Sequence, residues 1–110
     1  MTNNNQQMLS GYRLLDLTRA VAGPTCTRMF AEMGAEVIKI EPSPDGDMSR
    51  NISKLRNERS LYFVQQSLNK KSLCVDLRSP EGIELVKDLV PHCDVVVENF
   101  KPGVIAKMGL

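Results

Sequence analysis

The sequence predicts an α/β fold with a doubly wound, mostly parallel sheet, and two observations support this. Short apolar runs rich in β-branched residues alternate with helical patterns along the chain, which is typical of strands joined by crossover helices. The chain has 110 residues, 42% of them hydrophobic and 25% charged, which is the composition of an ordinary globular domain with one modest core.

The first three elements form a predicted βαβ unit. Residues 12–17 (YRLLDL) read as a buried strand, and Gly23-Pro24 begins a helix, because proline is tolerated in a first helical turn. Gly34 ends that helix, and residues 35–41 (AEVIKIE) read as the second strand. One stripe of the helix has the spacing i, i+3, i+4 and i+7 of a buried face, and it consists of Cys26, Met29, Phe30 and Met33.

A long polar segment follows the second strand. Residues 42–60 contain many turn formers and no sustained period, so we expect irregular structure with little helix. Loops of this length in compact domains are usually functional or mobile. Two interpretations stay open: a mobile cover over a ligand, or an arm that packs against a dimer partner. Residues 61–68 (LYFVQQSL) fit either a helix or a strand.

The second half of the chain repeats the strand and helix order. Residues 72–77 (SLCVDL) read as the third strand, and Ser79-Pro80-Glu81 is a strong helix start with serine as the N-cap. Residues 93–98 (CDVVVE) read as the fourth strand, apolar enough to be covered on both faces. The helix between them is expected to bury Ile83, Val86 and Val90 and to end at Pro91, and a last helix covers residues 104–108.

Charge and targeting signals narrow the function classes. Lysine and arginine number 14 against 13 acidic residues, so nothing in the net charge of +1 indicates binding to nucleic acid or to a membrane surface. No apolar run approaches the ~20 residues of a membrane span. The polar start predicts a disordered tail over residues 1–10, and the abrupt apolar end (KMGL) predicts a truncated piece of a longer protein.

The cysteines and the histidine indicate no metal or nucleophilic site. Three cysteines, at positions 26, 74 and 93, lie within or beside apolar runs, which predicts reduced, buried thiols and a cytoplasmic setting. His92 is the only histidine, so a capping or solvent-facing role is expected and no catalytic triad can be built.

A dinucleotide site is the next candidate, because Glu41 ends the second strand where such folds hold a ribose. The turn over residues 18–24 (TRAVAGP) has a single glycine, however, and the NAD or FAD fingerprint needs several. We therefore expect no NAD, and we interpret Glu41 as a solvated strand end.

Polar and basic residues follow the carboxyl ends of the predicted strands, where open α/β sheets bind ligands. Arg19 follows the first strand, Arg78 the third, and Asn99 and Lys101 the fourth, with Lys107 about one helical turn beyond. Lys70 and Lys71 precede the third strand, at its opposite end. Convergence of such residues on one rim predicts an anionic, phosphorylated ligand.

Four segments in order resemble the family III CoA-transferases, a family that includes the α-methylacyl-CoA racemase relatives. They are AGP at 22–24, GAEVIKIEP followed by GD at 34–47, NKKSLCVDLRSPEG at 69–82, and DVVVENFKPGV followed by MGL at 94–110. The resemblance runs over residues 11–110. It implies the CoA-binding portion of a Rossmann-like large domain, in an interlocked homodimer, with CoA at the carboxyl ends of the strands.

The resemblance also implies a set of CoA contacts on three loops, which use basic side chains in place of a glycine-rich phosphate cradle. The implied residues are Arg19, Val21, Ala22, Val75, Asp76, Leu77, Arg78, Asn99, Phe100, Lys101 and Lys107. One position departs from the family pattern: some members carry an arginine against the adenine end of CoA where this chain has Pro42.

The implied activity is transfer of CoA between an acyl-CoA and a carboxylic acid through an aspartyl-CoA thioester. By family order the nucleophilic aspartate lies beyond Leu110, so we assign no catalytic role to Asp16, Asp76 or Asp94 and expect the isolated chain to be inactive. Asp16 and Asp94 are interpreted as structural or capping groups. Three alternatives stay open: an acyl-CoA racemase relative, a non-catalytic CoA or nucleotide-binding module, and a ligand-free fragment.

Overall fold

Strands and helices alternate along the chain in the computed structural model, which describes residues 6–53 and 55–110. Two short 3₁₀ helices, Met48–Asn51 and Val90–His92, lie between the main elements. The main elements are β1 (Arg13–Asp16), α1 (Ala22–Glu32), β2 (Glu36–Pro42), β3 (Leu55–Arg56), β4 (Arg59–Ser60), α2 (Leu61–Ser67), β5 (Lys70–Val75), α3 (Pro80–Leu89), β6 (Val95–Val97) and α4 (Val104–Met108).

The central sheet has the strand order β5-β2-β1-β6, and every neighbouring pair in it is parallel. From β1 the chain crosses to β2 and then to β5 on one side, and it returns to β6 on the other side of β1. The strand order therefore reverses between β1 and β6. The prediction of an α/β fold with a mostly parallel, doubly wound sheet is confirmed.

The sheet has a hydrophobic cluster on each face, because neighbouring side chains of a strand point to opposite faces. Leu14 of β1 packs with Ala31 of α1 on one face. Leu15 packs with Val75 of β5 and Val86 of α3 on the other. On the first face, the next side chain along β1 after Leu14 is the buried Asp16.

The buried face of α1 differs from the predicted stripe. Met29 is 53% exposed and Cys26 is also exposed, whereas Thr27 and Ala31 are buried. At the start of the helix, Gly23 lies close to the turn after β1: a Cβ at this position would be 2.3 Å from Thr18 Cβ. The spacing of apolar residues alone could not show which face of α1 is buried, because both faces have helical periodicity.

The expectation of buried thiols is wrong for two cysteines. All three cysteines are free, but Cys26 and Cys74 are exposed and only Cys93 is partly buried. Cys26 lies on the outer face of α1, and Cys74 lies on β5 at one edge of the sheet.

The segment after β2 is more regular than predicted. Asp47 caps the 3₁₀ helix by accepting a 2.8 Å hydrogen bond from the Ser49 amide, and β3 pairs with β4 in an antiparallel hairpin. The ambiguous apolar run is a helix, α2, which Ser60 caps through the Phe63 amide at 3.1 Å. The strand predicted to begin at Ser72 begins instead at Lys70.

The sequence predicted that both faces of the last strand are covered. In the part of the chain that the structure describes, this prediction is wrong. β6 pairs with β1 at one end of the described sheet, and Val95 and Val96 are about 40% exposed. Ser79 does cap α3, by accepting a 3.0 Å hydrogen bond from the Gly82 amide, as predicted.

The predicted tail over residues 1–10 falls partly outside the described residues, which begin at residue 6. Within the described part, the Leu9 amide donates to the Met33 carbonyl at 2.9 Å, and Leu9 packs against the cluster beneath α1. Among the residues that the structure describes, none of the helices has the length and apolar character needed to cross a bilayer.

Candidate functional site

The turn after β1 and the loop after β6 are joined where the strand order reverses. The Arg19 amide donates to Asn99 Oδ1 at 2.8 Å, and Asn99 Nδ2 donates to the Arg19 carbonyl at 2.8 Å. The Arg19 guanidinium carbon lies 5.6 Å from the centre of the Phe100 ring. Open α/β sheets bind ligands at such reversal points, outside the carboxyl ends of the strands.

The middle of the turn after β1 is exposed. Val21 is 63% exposed and Ala22 is exposed as well, so both present apolar surface beside Arg19. Ala20 has a left-handed φ of 64°, which is uncommon for a residue with a side chain. Tyr62 of α2 donates through its hydroxyl to the Ala20 carbonyl at 3.3 Å, which ties the turn to the next helix.

A cavity of about 250 Å³ lies between this turn and the residues that follow β2. Arg19 stands on one side, and the other side is formed by what we call the strap, residues 42–51. Pro42 is part of the cavity wall. The complete lining is Arg19, Ile40, Pro42, Ser43, Asp45, Gly46, Asp47 and Met48.

A second group of predicted residues lies beyond β5. Arg78 Nε donates to Asp76 Oδ1 at 2.9 Å, and this hydrogen bond lowers the pKa of the Asp76 carboxyl and raises that of Arg78. Leu77, Arg78 and Lys107 line one open cleft of about 550 Å³ at the start of α3. The structure therefore brings Arg78 and Lys107 together although they are far apart in sequence.

Two other predicted residues take different places. Val75 is only 5% exposed, and its carbonyl accepts a 3.1 Å hydrogen bond from the Ser43 amide, so its side chain belongs to the core. Lys101 is exposed in the same loop as Phe100. The predicted set thus divides into a group around Arg19 and Asn99 and a group around Arg78 and Lys107.

Sequence reasoning did not predict that two lysines are buried: Lys39 was not considered, and Lys70 was named only as a basic residue before the third strand. Lys39 of β2 is 2% exposed, and its ammonium donates to the Thr18 carbonyl at 3.1 Å and pairs with Asp47 at 2.9 Å. Lys70 of β5 pairs with the buried Asp16 at 3.1 Å. The sequence signal was a lysine inside the apolar run AEVIKIE, which alternation alone assigns to a solvated face.

Glu41 is a buried ion-pair partner, and the prediction of a solvated strand end is wrong. It is 1% exposed, and both of its oxygens accept hydrogen bonds from Arg50, at 2.7 and 2.8 Å. Burial acts to raise the pKa of Glu41, but hydrogen bonds from Arg50, from Ser72 and from the Asp47 amide outweigh it and lower the pKa to about 2. Its oxygens are therefore engaged within the protein, which is not the arrangement of a ribose-binding acid.

Asp16 and Asp94 make hydrogen bonds of the kind that structural or capping groups make. Asp16 is fully buried and accepts from the Thr18 amide at 2.9 Å and from the Thr27 hydroxyl at 2.6 Å. Asp94 accepts from the Arg13 amide at 2.8 Å. In the described part of the chain, no cluster of three or more His, Cys, Asp or Glu side chains is placed to hold a metal ion.

Comparison with known proteins identifies relatives over nearly the whole chain. The family model described as CoA-transferase family III matches residues 9–110. A formyl-CoA:oxalate CoA-transferase from Rhodopseudomonas palustris is 46% identical over 102 residues, which are 92% of this chain and 24% of the relative. A succinyl-CoA–D-citramalate CoA-transferase from Chloroflexus aurantiacus is 48% identical over 103 residues, 93% of this chain and 26% of the relative.

A solved structure shares both the fold and the sequence. The crystal structure of a CAIB/BAIF family protein from Brucella suis superposes with a TM-score of 0.85 at 41% identity, covering 94% of this chain and 29% of that chain. This chain therefore spans about a quarter of the length of the curated relatives that it matches.

Proposed function

The chain belongs to CoA-transferase family III, and from this premise we propose that it forms the CoA-binding amino-terminal part of an enzyme that transfers CoA between carboxylic acids. The substrates are an acyl-CoA and a free carboxylic acid. The observation that supports this most directly is the pair of reciprocal hydrogen bonds between the Arg19 backbone and the Asn99 side chain. They hold two ligand-facing loops together at the reversal point of the sheet.

The charges near the site suit the phosphates of CoA. Arg78 and Lys107 line one cleft, and Arg19 lies at the other cavity. Guanidinium and ammonium groups form strong, charge-assisted hydrogen bonds with phosphate oxygens. Since the net charge of the chain is only +1, attraction for an anionic ligand comes from these local groups.

Apolar surface beside the same charges suits the uncharged parts of the ligand. Val21 is exposed on the turn after β1, and Phe100 lies under the Arg19 guanidinium. In the proposed complex these side chains contact the methylene and amide groups between the phosphates and the thioester.

The nucleophile is proposed to lie in another part of the full-length protein. In this reaction a carboxylate of the enzyme attacks the thioester carbonyl, and CoA leaves as a thiolate to give a mixed anhydride. The thiolate then attacks the enzyme-side carbonyl of the anhydride, which forms the enzyme-bound thioester and releases the substrate acyl group as a free carboxylate. Asp16 is unsuited to this role because it is buried and already accepts several hydrogen bonds. Asp76 and Asp94 are held by Arg78 and by the Arg13 amide, respectively.

The proposal extends to assembly and location. We propose a homodimer in the full-length protein, which is supported by the exposed apolar side chains of α1 and α2, including Met29, Leu61 and Val64. A cytoplasmic location is supported by the three free cysteines, which persist in reducing compartments.

A titration of CoA into the 110-residue chain, followed by backbone amide NMR signals, tests the CoA proposal. Adenosine, which lacks the phosphates, is the control ligand. We expect shifts at residues 19–22, 75–78 and 99–107 with CoA and much weaker shifts with adenosine. A well-dispersed spectrum that CoA leaves unchanged would contradict the proposal that this part of the protein carries the binding site.

A further inference from the structure

Four buried charged residues form what we call the ionic frame: Asp16, Lys39, Asp47 and Lys70. The side chains of Lys39 and Lys70 are 3% and 1% exposed, and those of Asp47 and Asp16 are 4% and 0% exposed. Burying charge in this way is costly unless each group is paired and hydrogen-bonded. Both ammonium groups meet that condition, and each also donates to a backbone carbonyl of the turn after β1.

Lys39 joins the turn to the strap. Its ammonium donates to the Thr18 carbonyl at 3.1 Å, at the beginning of the turn, and pairs with Asp47 of the strap at 2.9 Å. Arg19, which follows Thr18, and Asp47 both line the 250 Å³ cavity. A single buried side chain therefore links two segments of the cavity lining.

Lys70 holds the other end of the turn. Its ammonium donates to the Pro24 carbonyl at 3.1 Å and to the Thr27 hydroxyl at 2.8 Å, besides its pair with Asp16. Asp16 in turn accepts from the Thr18 amide at 2.9 Å. Buried side chains thus hold the backbone at Thr18 and at Pro24 through hydrogen bonds. The exposed residues 19–22 lie between these two positions.

We propose that the ionic frame positions the turn for ligand binding, so that Lys39 and Lys70 are positioning residues that act through the backbone of residues 18–24. This inference rests on the proposed CoA site. Phosphate-binding turns in other nucleotide folds obtain their shape from several glycines, whereas this turn has one glycine and a left-handed alanine, Ala20. In this protein, the buried ammonium groups of Lys39 and Lys70 restrict the conformation of the turn, which its backbone alone does not fix.

If the ion pair of Lys39 and Asp47 served only to stabilise the fold, replacing both charges together would leave the turn and CoA binding unchanged. Replacing a buried ion pair with uncharged groups of similar volume is often neutral for stability, whereas removing one partner leaves an unpaired charge. The double substitution Lys39→Met with Asp47→Asn removes both charges and keeps a good N-cap at position 47. The partly exposed pair of Arg28 and Glu32, 3.0 Å apart on α1 and outside both cavities, provides the matched control, Arg28→Met with Glu32→Gln.

The experiment measures three quantities for both double variants: the thermal midpoint, the ¹⁵N order parameters of residues 19–22 without ligand, and the Kd for CoA by calorimetry. For Lys39→Met with Asp47→Asn we expect a folded chain in which those order parameters fall from about 0.85 toward 0.6. We also expect CoA binding to weaken about tenfold or more, since misplaced contacts lose much of their effect. The control variant should match the original chain in all three.

Unchanged order parameters at residues 19–22 in a folded double variant would overturn the inference. If that variant does not fold, Lys70→Met with Asp16→Asn, which removes both charges of the second buried pair, gives the same readout from the other end of the turn. The proposed function is judged separately: if the original chain binds no CoA, that proposal fails, while the order parameters still decide whether the frame positions the turn.

Discussion

Asn99 is the side chain on which the geometry of the candidate site depends most, because it makes two hydrogen bonds to the Arg19 backbone. We predict that Asn99→Ala weakens CoA binding about tenfold, since two such bonds contribute roughly 1–3 kcal/mol in total. Calorimetric titration with CoA measures the effect. Gln65→Ala, which removes an exposed amide on α2, is the control. Equal affinities of the Asn99 and Gln65 variants would show that the two loops are held by other contacts.

Glu41 gives the fold a pH dependence whose sign follows from its lowered pKa. The folded pKa is about 2, compared with an ordinary value of 4.5. A lowered pKa contributes stability that is complete above about pH 4.5 and is lost as the pH falls through 2. The shift corresponds to roughly 3 kcal/mol.

We therefore predict that the free energy of unfolding decreases between pH 5 and pH 2, and that Glu41→Gln flattens this decrease. Urea unfolding at several pH values measures it. Glu81→Gln, on the exposed first turn of α3, should keep the original pH dependence. A Glu41→Gln variant with the same pH profile as the original chain would disprove the contribution of Glu41.

The site residues differ in how far the sequence could predict them. Arg19, Asn99 and Arg78 were found because they follow strands, and strand ends can be located from apolar runs. The burial of Lys39 and Lys70 was not predicted, because a lysine is solvated by default and its burial depends on partners distant in sequence. Lys70, for example, pairs with Asp16, which lies 54 residues away.

At the scale of the elements, the connection from β5 to α3 depends on close packing at Gly82. A Cβ at this position would lie 2.0 Å from the Asp76 carbonyl oxygen. We predict that Gly82→Ala destabilises the fold by about 1–3 kcal/mol, because the clash exceeds the roughly 1 kcal/mol that alanine adds to a helix. Urea unfolding measures this, with Glu81→Ala in the same turn as the control. A Gly82→Ala variant as stable as the control would mean that this connection adjusts freely.

The helices show why element type is easier to predict than element orientation. The start of α3 was predictable from the sequence alone, because capping by Ser79 and the position of Pro80 depend only on neighbouring residues. The buried face of α1 was assigned to larger apolar residues, but the sheet accepts the small residues Thr27 and Ala31. How closely a helix approaches a sheet is decided by the whole interface, which local periodicity does not contain.

At the scale of the molecule, we propose that this chain carries the CoA-binding surface and that the nucleophile of the family reaction lies in another part of the full-length protein. We predict that the purified 110-residue chain produces no CoA exchange between an acyl-CoA and a carboxylic acid. The measurement is chromatographic detection of the second acyl-CoA, with a full-length family member as the positive control. Steady exchange by this chain, lost on substitution of Asp76, would show that the reactive carboxylate lies within it.

The topology was predictable because alternating strands and helices allow few arrangements, and parallel crossovers follow a fixed handedness. The exposure of β6 was not predictable, since the run CDVVVE reads equally as an inner strand or an end strand. What lies beside a strand is a property of the complete sheet.

The 80-residue separation between Arg19 and Asn99 has a consequence for the order of folding. Contacts between distant residues form late, because closing a long loop costs entropy before the contact can compensate for it. In the native sheet the two loops meet where β6 pairs with β1. A ligand held between them therefore recognises the finished sheet and not a half-folded chain, and by mass action it would favour the native state over every earlier folding intermediate.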